Sequence, residues 1–416
     1  MRILHLVHQY PPDDVGGVEL HTQSVARELA RRGHEVGVFF RQRAEGRGLE
    51  SWEEQGVRVW AARDGALSPT GRLLATFHAP TVAAFFERVL EEMKPEIVHI
   101  HHLMGLPVAL AHEMSQRDIP YVVTLHDYWW GCANAQLLTN DREEICDGPD
   151  WWLNCGRCAL ARAGVSQLWL APALAPLFAY RYQQLHPILQ QAQRLIAPTD
   201  FTRDSYERMG FSVEKVQVIP HGIALPPNAK GLESRPDPGQ RTLCIAYVGG
   251  IARQKGVHVL VEAMNGLPEE QVHLSIFGDL DVFPQYVSEL RALARHSGIH
   301  FRGRLPNDEL LKELARFDVL VVPSLWYETA ALVIQEAFAV GLPVIASDLG
   351  ALSERVRDGI DGLLVPPGDP LTLRAALGRL LDEPNLLPQL RAGIHPVRLL
   401  EEQVDEIEPL YREVVE

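Results

Sequence analysis

Two glutamates, Glu328 and Glu336, lie within an otherwise mostly apolar stretch, LWYETAALVIQEAFAVGLPVIAS, which runs from residue 325 to residue 347. A charged side chain among buried apolar ones is costly unless it is paired or binds a ligand. The preceding run VLVVPS is continuously apolar, as a buried parallel strand is, and ALVIQEAFAVG has the pattern of a helix ending at Gly341. This order predicts that Glu328 lies on a loop at the carboxyl edge of a parallel sheet.

The residues after Glu328 have the features of a phosphate site. Thr329, Ala330 and Ala331 are expected to begin the helix with unpaired backbone amides. Such amides and the positive end of the helix dipole attract phosphate. Glu336 follows about two turns further along, at roughly 1.5 Å per residue, where a carboxylate could accept hydrogen bonds from ribose hydroxyls. The pattern therefore predicts a nucleotide site.

The elements around this site alternate between short apolar runs and helical patterns. In the first half RILHLV, EVGVFF, VRVWAA, EIVHIHH, YVVTLHD and RLIAPT are predicted strands, and VELHTQSVARELARR is a predicted helix that Gly33 ends. The same order resumes after residues 224–241, a segment rich in proline, glycine and charge that we predict to be a linker. The alternation predicts an α/β protein with two doubly wound parallel sheets. Ligands of such sheets bind at the carboxyl edges, here in a cleft between two domains.

Composition excludes some classes of protein. The chain has 416 residues, too many for one compact core, and a net charge of −15, which argues against nucleic acid as a partner. No segment has the features of a secretory signal, so we predict a cytoplasmic protein. The apolar stretch LWLAPALAPLFAY, residues 168–180, is shorter than the roughly 20 residues that span a bilayer. It is predicted to be a buried or amphipathic helix, with peripheral contact to the inner face of the membrane as the alternative.

Glu328 and Glu336 are separated by seven residues and followed by AFAVGLPVIAS. This resembles the E-x7-E signature of retaining glycosyltransferases of the GT-B fold, in particular glycosyltransferase family 4. The resemblance implies that Glu328 contacts hydroxyls of the donor sugar and that Glu336 binds the ribose. It also implies two Rossmann-like domains facing across a cleft. We expect an acceptor domain over residues 1–222, a nucleotide-sugar domain over 223–385, and C-terminal helices over 386–416, the last packing back on the first domain.

Other segments resemble the same family in the same order. PPDDVGG resembles its N-terminal donor-facing loop, with Gly16 and Gly17 letting the backbone approach the diphosphate. TLHDYW ends a strand, and the family often has a histidine there near the anomeric carbon, which implies this role for His126; a capping or core histidine is the alternative. VIPHGI resembles the Pro-Asn-Gly element of the domain junction, with His221 in place of the asparagine.

The resemblance also implies where the donor diphosphate is held. Lys255 in YVGGIARQKGV matches the Lys-Gly pair of the family, but Gly250 stands where an arginine is usual. We expect Arg253 to replace that arginine. The remaining implied donor-binding residues come from IFGD, from FRGRLPNDEL and from the helix start: Gly278, Arg304, Leu305, Thr329, Ala330, Ala331 and Leu332.

These residues imply a retaining glycosyltransferase that moves a sugar from a UDP- or GDP-sugar to a hydroxyl of a glycan, a lipid or a small molecule. Lys255, Arg253 and the helix start would stabilise the departing diphosphate, while Glu328 and His126 would orient the sugar. We expect front-side displacement and no catalytic metal. Two alternatives remain: a nucleotide-sugar epimerase of the GT-B fold, and a catalytically inactive nucleotide-sugar-binding protein, which Gly250 would favour.

One insertion, at about residues 128–165, lies outside the family pattern. It contains four of the five cysteines, Cys132, Cys146, Cys155 and Cys158. In a reducing compartment such thiols favour a metal over disulfides. Four thiolates suit a structural zinc ion, with an iron–sulfur cluster, disulfides and unrelated thiols as alternatives. The insertion also contains tryptophans that either stack on the acceptor sugar or form its own small core: Trp129, Trp130, Trp151 and Trp152.

Overall fold

The computed structural model describes residues 1–13, 16–225 and 242–416. The predicted linker, 224–241, lies outside this part except for its first two residues. The chain divides into two compact units, the first formed by Met1–Gly222 with Leu400–Glu416 and the second by Ile223–Leu399. The expected C-terminal segment 386–416 is therefore divided, since its first helix belongs to the second unit and its last helix to the first.

The first unit contains a sheet of eight strands in the order β3-β4-β2-β1-β5-β6-β7-β8. All neighbouring strands are parallel except β3 and β4, which form an antiparallel hairpin. The direction of the strand order changes between β1 and β5, so the loops after these two strands border the crevice where ligands of such sheets bind. The strands are β1 (Arg2–Val7), β2 (Glu35–Gln42), β3 (Arg47–Glu54), β4 (Val57–Asp64), β5 (Ile97–Ile100), β6 (Tyr121–Thr124), β7 (Arg194–Ala197) and β8 (Val216–Val218).

Helices cover this sheet. The first, α1, buries Val25, Ala26 and Leu29 against the strands, and Gly33, at φ 89°, follows its end as predicted. The last helix of the chain returns to the same unit and buries Ile407 and Tyr411 in the core of this sheet. The helices are α1 (Gly17–Arg31), α2 (Pro69–Phe77), α3 (Pro80–Met93), α4 (Ala109–Gln116), α5 (Leu153–Arg162), α6 (Ala171–Gln191), α7 (Asp200–Arg208) and α15 (Leu400–Val415).

The second unit contains six parallel strands in the order β11-β10-β9-β12-β13-β14. Its strand order reverses between β9 and β12, so the loops after these strands border its ligand crevice. The strands are β9 (Leu243–Val248), β10 (Val272–Phe277), β11 (Ile299–Gly303), β12 (Val319–Val322), β13 (Val344–Ser347) and β14 (Gly362–Val365). The helices are α8 (Val257–Met264), α9 (Pro284–Leu293), α10 (Leu310–Leu314), α11 (Leu332–Ala339), α12 (Ala351–Arg355), α13 (Pro370–Asp382) and α14 (Leu386–Gly393).

The apolar stretch at residues 168–180 forms a short 3-10 turn, Leu168–Leu170, and the start of α6. Ala171 and Phe178 of this stretch are buried, whereas Trp169 is 76% exposed and Leu170 and Tyr180 are exposed as well. In the part of the chain that the structure describes, no helix combines the length and the apolar character needed to cross a membrane. The segment between β6 and α5 consists mainly of turns, with one isolated bridge between Leu138 and Ile145.

Candidate functional site

Glu328 lies on the loop after β12, at the carboxyl edge of the second sheet, and only 7% of its surface is exposed. Its Oε1 accepts three hydrogen bonds, from Lys255 Nζ at 2.7 Å, Ser324 Oγ at 2.6 Å and Trp326 Nε1 at 2.8 Å. The ammonium group of Lys255 also lies 5.0 Å from the centre of the Trp326 ring. The buried carboxylate is therefore paired with a cation that comes from a different loop.

A close approach between two loops brings Lys255 to Glu328. The amide of Leu325 donates a 2.8 Å hydrogen bond to the carbonyl of Gln254. Gly256 has a left-handed backbone at φ 68°, and a Cβ there would lie 1.8 Å from the carbonyl oxygen of Pro323. Only glycine fits this contact. The loop after β9 is thus held directly against the end of β12, at the reversal of the strand order.

Glu336 lies on α11, four residues after the helix begins at Leu332. Burial raises the pKa of its carboxyl group from 4.5 to about 7. Within the described residues, its carboxylate has neither a hydrogen-bond donor nor a cation as partner. An unpaired carboxyl group with a raised pKa beside a ligand crevice is a sign of function.

The start of α11 differs from the prediction. Ala331 has a left-handed backbone, φ 45°, and caps the helix, which begins at Leu332 rather than at Thr329. Thr329 and Ala330 are buried in the loop before it. The amides expected at residues 329–331 therefore belong to this loop, and the first helical amides are those of Leu332 and the residue after it.

Arg253 is not brought together with Lys255 and Glu328. Its guanidinium forms a 2.6 Å ion pair with Glu289 of α9, and it lies over the ring of Tyr286. Gly250 is exposed, and a Cβ added there would meet no atom within 4 Å. The position of the usual arginine is thus open space, while the expected substitute has an acidic partner elsewhere.

The loops after β10 and β11 also lie at this sheet edge. A Cβ at Gly278 would lie 2.2 Å from the carbonyl oxygen of Gly249, so the loop after β10 is in close contact with the loop after β9. Arg304 pairs with Asp279 at 3.4 Å, and Leu305 packs on the core of this unit. Asp279 and Asp281 form an Asp-x-Asp sequence that was not noted from the sequence alone. Asp279 Oδ1 accepts a hydrogen bond from the amide of Asp281, so the side chain of Asp279 stabilises a turn.

In the first unit, the loops after β1, β5 and β6 meet near the start of α1. Gly16 caps this helix and Gly17 is its first residue. Glu19 of the first turn pairs with His8 at 3.2 Å. His102 pairs with Asp127 at 3.1 Å, and the ring of His102 lies 4.4 Å from that of His8.

His126, two residues after β6, belongs to a buried group of histidines. Its Nε2 shares a 2.9 Å hydrogen bond with Nδ1 of His101, and Nε2 of His101 shares another of 2.9 Å with Nδ1 of His5. The rings of His21 and His221 each lie 5.1 Å from that of His126. Two sets of three have ring nitrogens within 4.8 Å of one another: His5, His99 and His101, and His21, His101 and His126.

Burial keeps these imidazoles neutral. It lowers the pKa of His5 from 6.5 to about 3 and that of His21 to about 4, and it holds the pKa of His126 well below 6.5. The neighbouring histidines contribute to the lowered pKa values of His5 and His126, since a second positive charge nearby is unfavourable. At neutral pH the group is therefore an array of uncharged hydrogen-bonding rings.

His221 is held by the last helix of the chain. Gln403 of α15 hydrogen-bonds to His21 Nε2 and to His221 Nδ1, and its Oε1 accepts the amide of Gly222 at 2.9 Å. The histidine group around His126 was not predicted from sequence. Its signal is present in RILHLVH and EIVHIHH, which contain two and three histidines in and just after two neighbouring strands.

A pocket with an empty volume of about 340 Å³ lies at the same edge of the first sheet. It is lined by His8 and by three arginines, Arg41, Arg43 and Arg72. Arg41 is buried and donates to the carbonyl oxygen of Asp64 at 2.7 Å. In a chain with a net charge of −15, this pocket is locally basic.

Sequence comparison relates the whole chain to known enzymes. Residues 242–383 match the model of the glycosyl transferases group 1, and residues 15–225, just over half of the chain, match that of glycosyltransferase family 4. A D-inositol 3-phosphate glycosyltransferase of Xylanimonas cellulosilytica is 29% identical, covering 93% of this chain and 89% of the relative. A glycogen synthase of Mycobacterium tuberculosis is 28% identical, covering 92% and 87%.

Solved structures show the same fold. A sucrose-phosphate synthase from Thermosynechococcus elongatus has a TM-score of 0.75 at 21% identity, covering 99% of this chain and 98% of the other. HepE of Anabaena, determined with UDP and glucose, has a TM-score of 0.68 at 19% identity, covering 99% and 100%. The expectation of an α/β fold with Rossmann-like domains is confirmed. The chain belongs to glycosyltransferase family 4 and is a nucleotide-sugar-dependent glycosyltransferase of the group 1 type.

Proposed function

We propose that this protein is a retaining glycosyltransferase that moves a hexosyl group from a UDP- or GDP-sugar to a hydroxyl group of a glycan, a lipid or a small molecule. The observation that carries the proposal is the pair of Lys255 and Glu328 at the reversal of the strand order, 2.7 Å apart. Glu336 supports it, because its carboxyl group has no partner among the described residues and lies on the helix that follows the Glu328 loop.

Lys255 and Glu328 bind each other through the same groups that are proposed to contact the donor. When the donor binds, the ammonium group of Lys255 turns to the diphosphate and the Glu328 carboxylate accepts hydroxyls of the sugar. The carboxylate of Glu336 accepts the ribose hydroxyls. Because Lys255 then faces the bond that breaks, its charge opposes the negative charge that develops on the departing phosphate.

Front-side displacement accounts for retention. The bond between the anomeric carbon and the phosphate oxygen breaks, and a bond from the acceptor oxygen to that carbon forms on the same face. The acceptor proton passes to the departing phosphate oxygen, so that the products are the glycoside and a nucleoside diphosphate. This route requires neither a protein nucleophile nor a divalent ion, since Lys255 supplies the positive charge.

His126 is proposed to orient the reacting sugar from the first unit. Its pKa lies well below 6.5 because of burial, so it acts as an uncharged hydrogen-bonding group rather than as a general acid. The basic pocket beside His8 supports an acceptor that carries an anionic group, because three arginines line it. This proposal for the acceptor does not depend on the proposal for the donor site.

Incubation with a panel of UDP- and GDP-sugars, followed by measurement of nucleoside diphosphate release, tests the function. Slow release without an acceptor, unchanged by a metal chelator, is the expected result. A new epimer of the nucleotide sugar would instead identify an epimerase, and binding without turnover would identify an inactive binding protein. Loss of release on chelation would contradict the metal-independent mechanism.

A further inference from the structure

Four cysteines near the end of β6 have no part in the proposed reaction. Cys155 and Cys158 lie one turn apart on α5, while Cys132 and Cys146 lie in the turn-rich segment before it. All four are partly buried, and none of the five cysteines of the chain, all of which are described, forms a disulfide. The four thiols are thus partly buried, not joined by disulfides and contributed by separate parts of the chain.

The four cysteines lie on chain segments that contact one another. The amide of Cys146 donates to the carbonyl oxygen of Leu137 at 2.8 Å, and Cys158 Sγ lies 4.0 Å from the carbonyl oxygen of the next residue, Leu138. Asn134, two residues after Cys132, donates to the same Leu138 oxygen at 3.2 Å. The turns that carry Cys132 and Cys146 are therefore packed beside the helix that carries Cys155 and Cys158.

Hydrogen-bond donors point at two of the sulfur atoms. Cys158 Sγ accepts the backbone amide of Asn140 at 3.4 Å and its side-chain amide at 3.1 Å. Cys146 Sγ accepts the side-chain amide of Asn154 at 3.5 Å. A neutral thiol is a weak acceptor, whereas a metal-bound thiolate is a good one and is commonly oriented by such donors.

A buried cation adds an independent observation. Arg181 of α6 is 3% exposed, and its guanidinium donates to the carbonyl oxygens of Trp129 and Trp130. No described carboxylate forms a salt bridge with it, although a buried charge needs a counter-charge. The carbonyl oxygens that Arg181 contacts belong to residues two and three positions before Cys132. Four thiolates around a divalent ion carry two net negative charges, which the guanidinium partly offsets.

The segment that contains Cys132 and Cys146 has little regular secondary structure. Apart from one isolated bridge, residues 125–152 contain no helix or strand. The helix α5 is fixed against α6, since a Cβ on Gly156 would lie 2.5 Å from the carbonyl oxygen of Ala171. A metal that joins Cys155 and Cys158 to Cys132 and Cys146 would anchor the turns to this rigid pair of helices.

We propose that Cys132, Cys146, Cys155 and Cys158 bind one zinc ion. Four thiolates are the ligand set of tetrahedral structural zinc sites. Among the described side chains, three ligand atoms lie within 4.8 Å of one another in the histidine groups and not among these thiols, so the proposal requires the cysteine side chains to turn toward the ion when it binds. The ion fixes the segment that directly follows His126 and does not take part in the transfer reaction.

Elemental analysis of protein purified under reducing conditions without chelator tests the proposal. The expected result is about one zinc per chain in the wild type. The double variant Cys155→Ser/Cys158→Ser should lose it, whereas Cys244→Ser, which changes the cysteine outside the cluster, should retain it. Zinc below about a tenth of an equivalent would overturn the proposal. So would zinc retained in the double variant, which would locate the ion at the histidines, or iron with sulfide in place of zinc.

Cobalt substitution of the wild-type protein keeps the test decisive if the double variant does not fold. Cobalt bound by four thiolates shows intense thiolate-to-metal charge transfer in the near ultraviolet and tetrahedral d–d bands in the visible. The proposal predicts both, together with zinc release on titration of the thiols with a mercurial reagent. Bound cobalt without the charge-transfer bands would overturn it. These readouts do not depend on sugar transfer, so failure of the proposed function would leave this result interpretable.

Discussion

Because we propose that Glu336 binds the ribose, its raised pKa, about 7, predicts that donor binding depends on pH. The carboxylate form accepts ribose hydroxyls better than the neutral form, so binding favours loss of the proton. We predict that the affinity for UDP-glucose rises as pH increases from 6 to 8 and then levels off, by roughly tenfold overall. The phosphates of this ligand do not titrate in this range, so isothermal titration at several pH values measures the effect of the protein.

The variant Glu336→Gln is the control for this prediction. It retains the size of the side chain but cannot ionise, so it should bind UDP-glucose several-fold more weakly at pH 8 and lose most of the dependence on pH. An equally steep pH dependence in this variant would show that another group is responsible.

Gly250 provides a gain-of-function test, because a side chain at this exposed position meets no atom within 4 Å. The substitution Gly250→Arg should place a second cation beside the end of β9 and tighten UDP binding by up to about tenfold, equivalent to about 1.4 kcal/mol. The gain should shrink as salt increases. Gly250→Gln is the matched uncharged control, and equal affinities of the two variants would contradict a diphosphate site here.

At the level of residues, the positions of the two glutamates in the fold were easier to predict from sequence than the groups that surround them. Glu328 and Glu336 could be predicted because both interrupt an apolar run within a single strand, loop and helix. The pairing of Arg253 with Glu289 could not, since it depends on where α9 lies. The histidine group was missed for the same reason: His5 and His101 are 96 residues apart and meet only when β1 and β5 form the centre of the sheet.

At the level of secondary-structure elements, the contact between the loops after β9 and β12 at Gly256 positions Lys255. Gly256→Ala adds a Cβ that would lie 1.8 Å from the Pro323 carbonyl oxygen, at a left-handed φ of 68°. We expect a loss of about 1–3 kcal/mol in the free energy of unfolding and weaker nucleotide binding, because the loop that carries Lys255 must move. Denaturant unfolding measures the first effect and titration with UDP the second.

Gly250→Ala is the matched control, since its Cβ meets nothing. It should change stability by less than about 0.5 kcal/mol. Equal stability of the two variants would contradict the role of Gly256 in holding the loops together.

Most strands could be predicted from the sequence because buried parallel strands are continuous apolar runs. The exceptions are β3, RGLESWEE, an antiparallel edge strand whose charges hide its pattern, and β8, VQV, an edge strand of only three residues. The start of α11 was placed three residues too early, because the left-handed backbone of Ala331 is uncommon for a residue with a Cβ and leaves no trace in sequence.

At the scale of the whole molecule, the neutral histidines make stability depend on pH. Below pH 6.5 the unfolded chain binds protons that the folded chain does not, because burial strongly lowers the pKa of six histidines. The free energy of unfolding should therefore fall as pH decreases from 7 to 5, by up to about 1.4 kcal/mol per pH unit for each histidine. Glu336 acts in the opposite direction, since its folded pKa is raised. The six are His5, His8, His21, His99, His101 and His126.

Denaturant unfolding at several pH values measures this slope. His5→Gln should lower the slope of the free energy of unfolding against pH by the contribution of about one proton. His112→Asn, at an exposed position of α4, should leave this slope unchanged. A free energy of unfolding that is constant between pH 7 and 5 would contradict the assignment of neutral buried histidines.

The central claim is that Glu328 acts on the donor sugar while the nucleotide is held by other residues. Nucleoside diphosphate release from the preferred donor by Glu328→Gln, measured beside its affinity for UDP, tests this most directly. We predict that release falls by roughly 10²-fold or more, about 2.7 kcal/mol, while UDP affinity changes by less than about threefold. Release at the wild-type rate, or losses of release and UDP affinity in equal proportion, would contradict the claim.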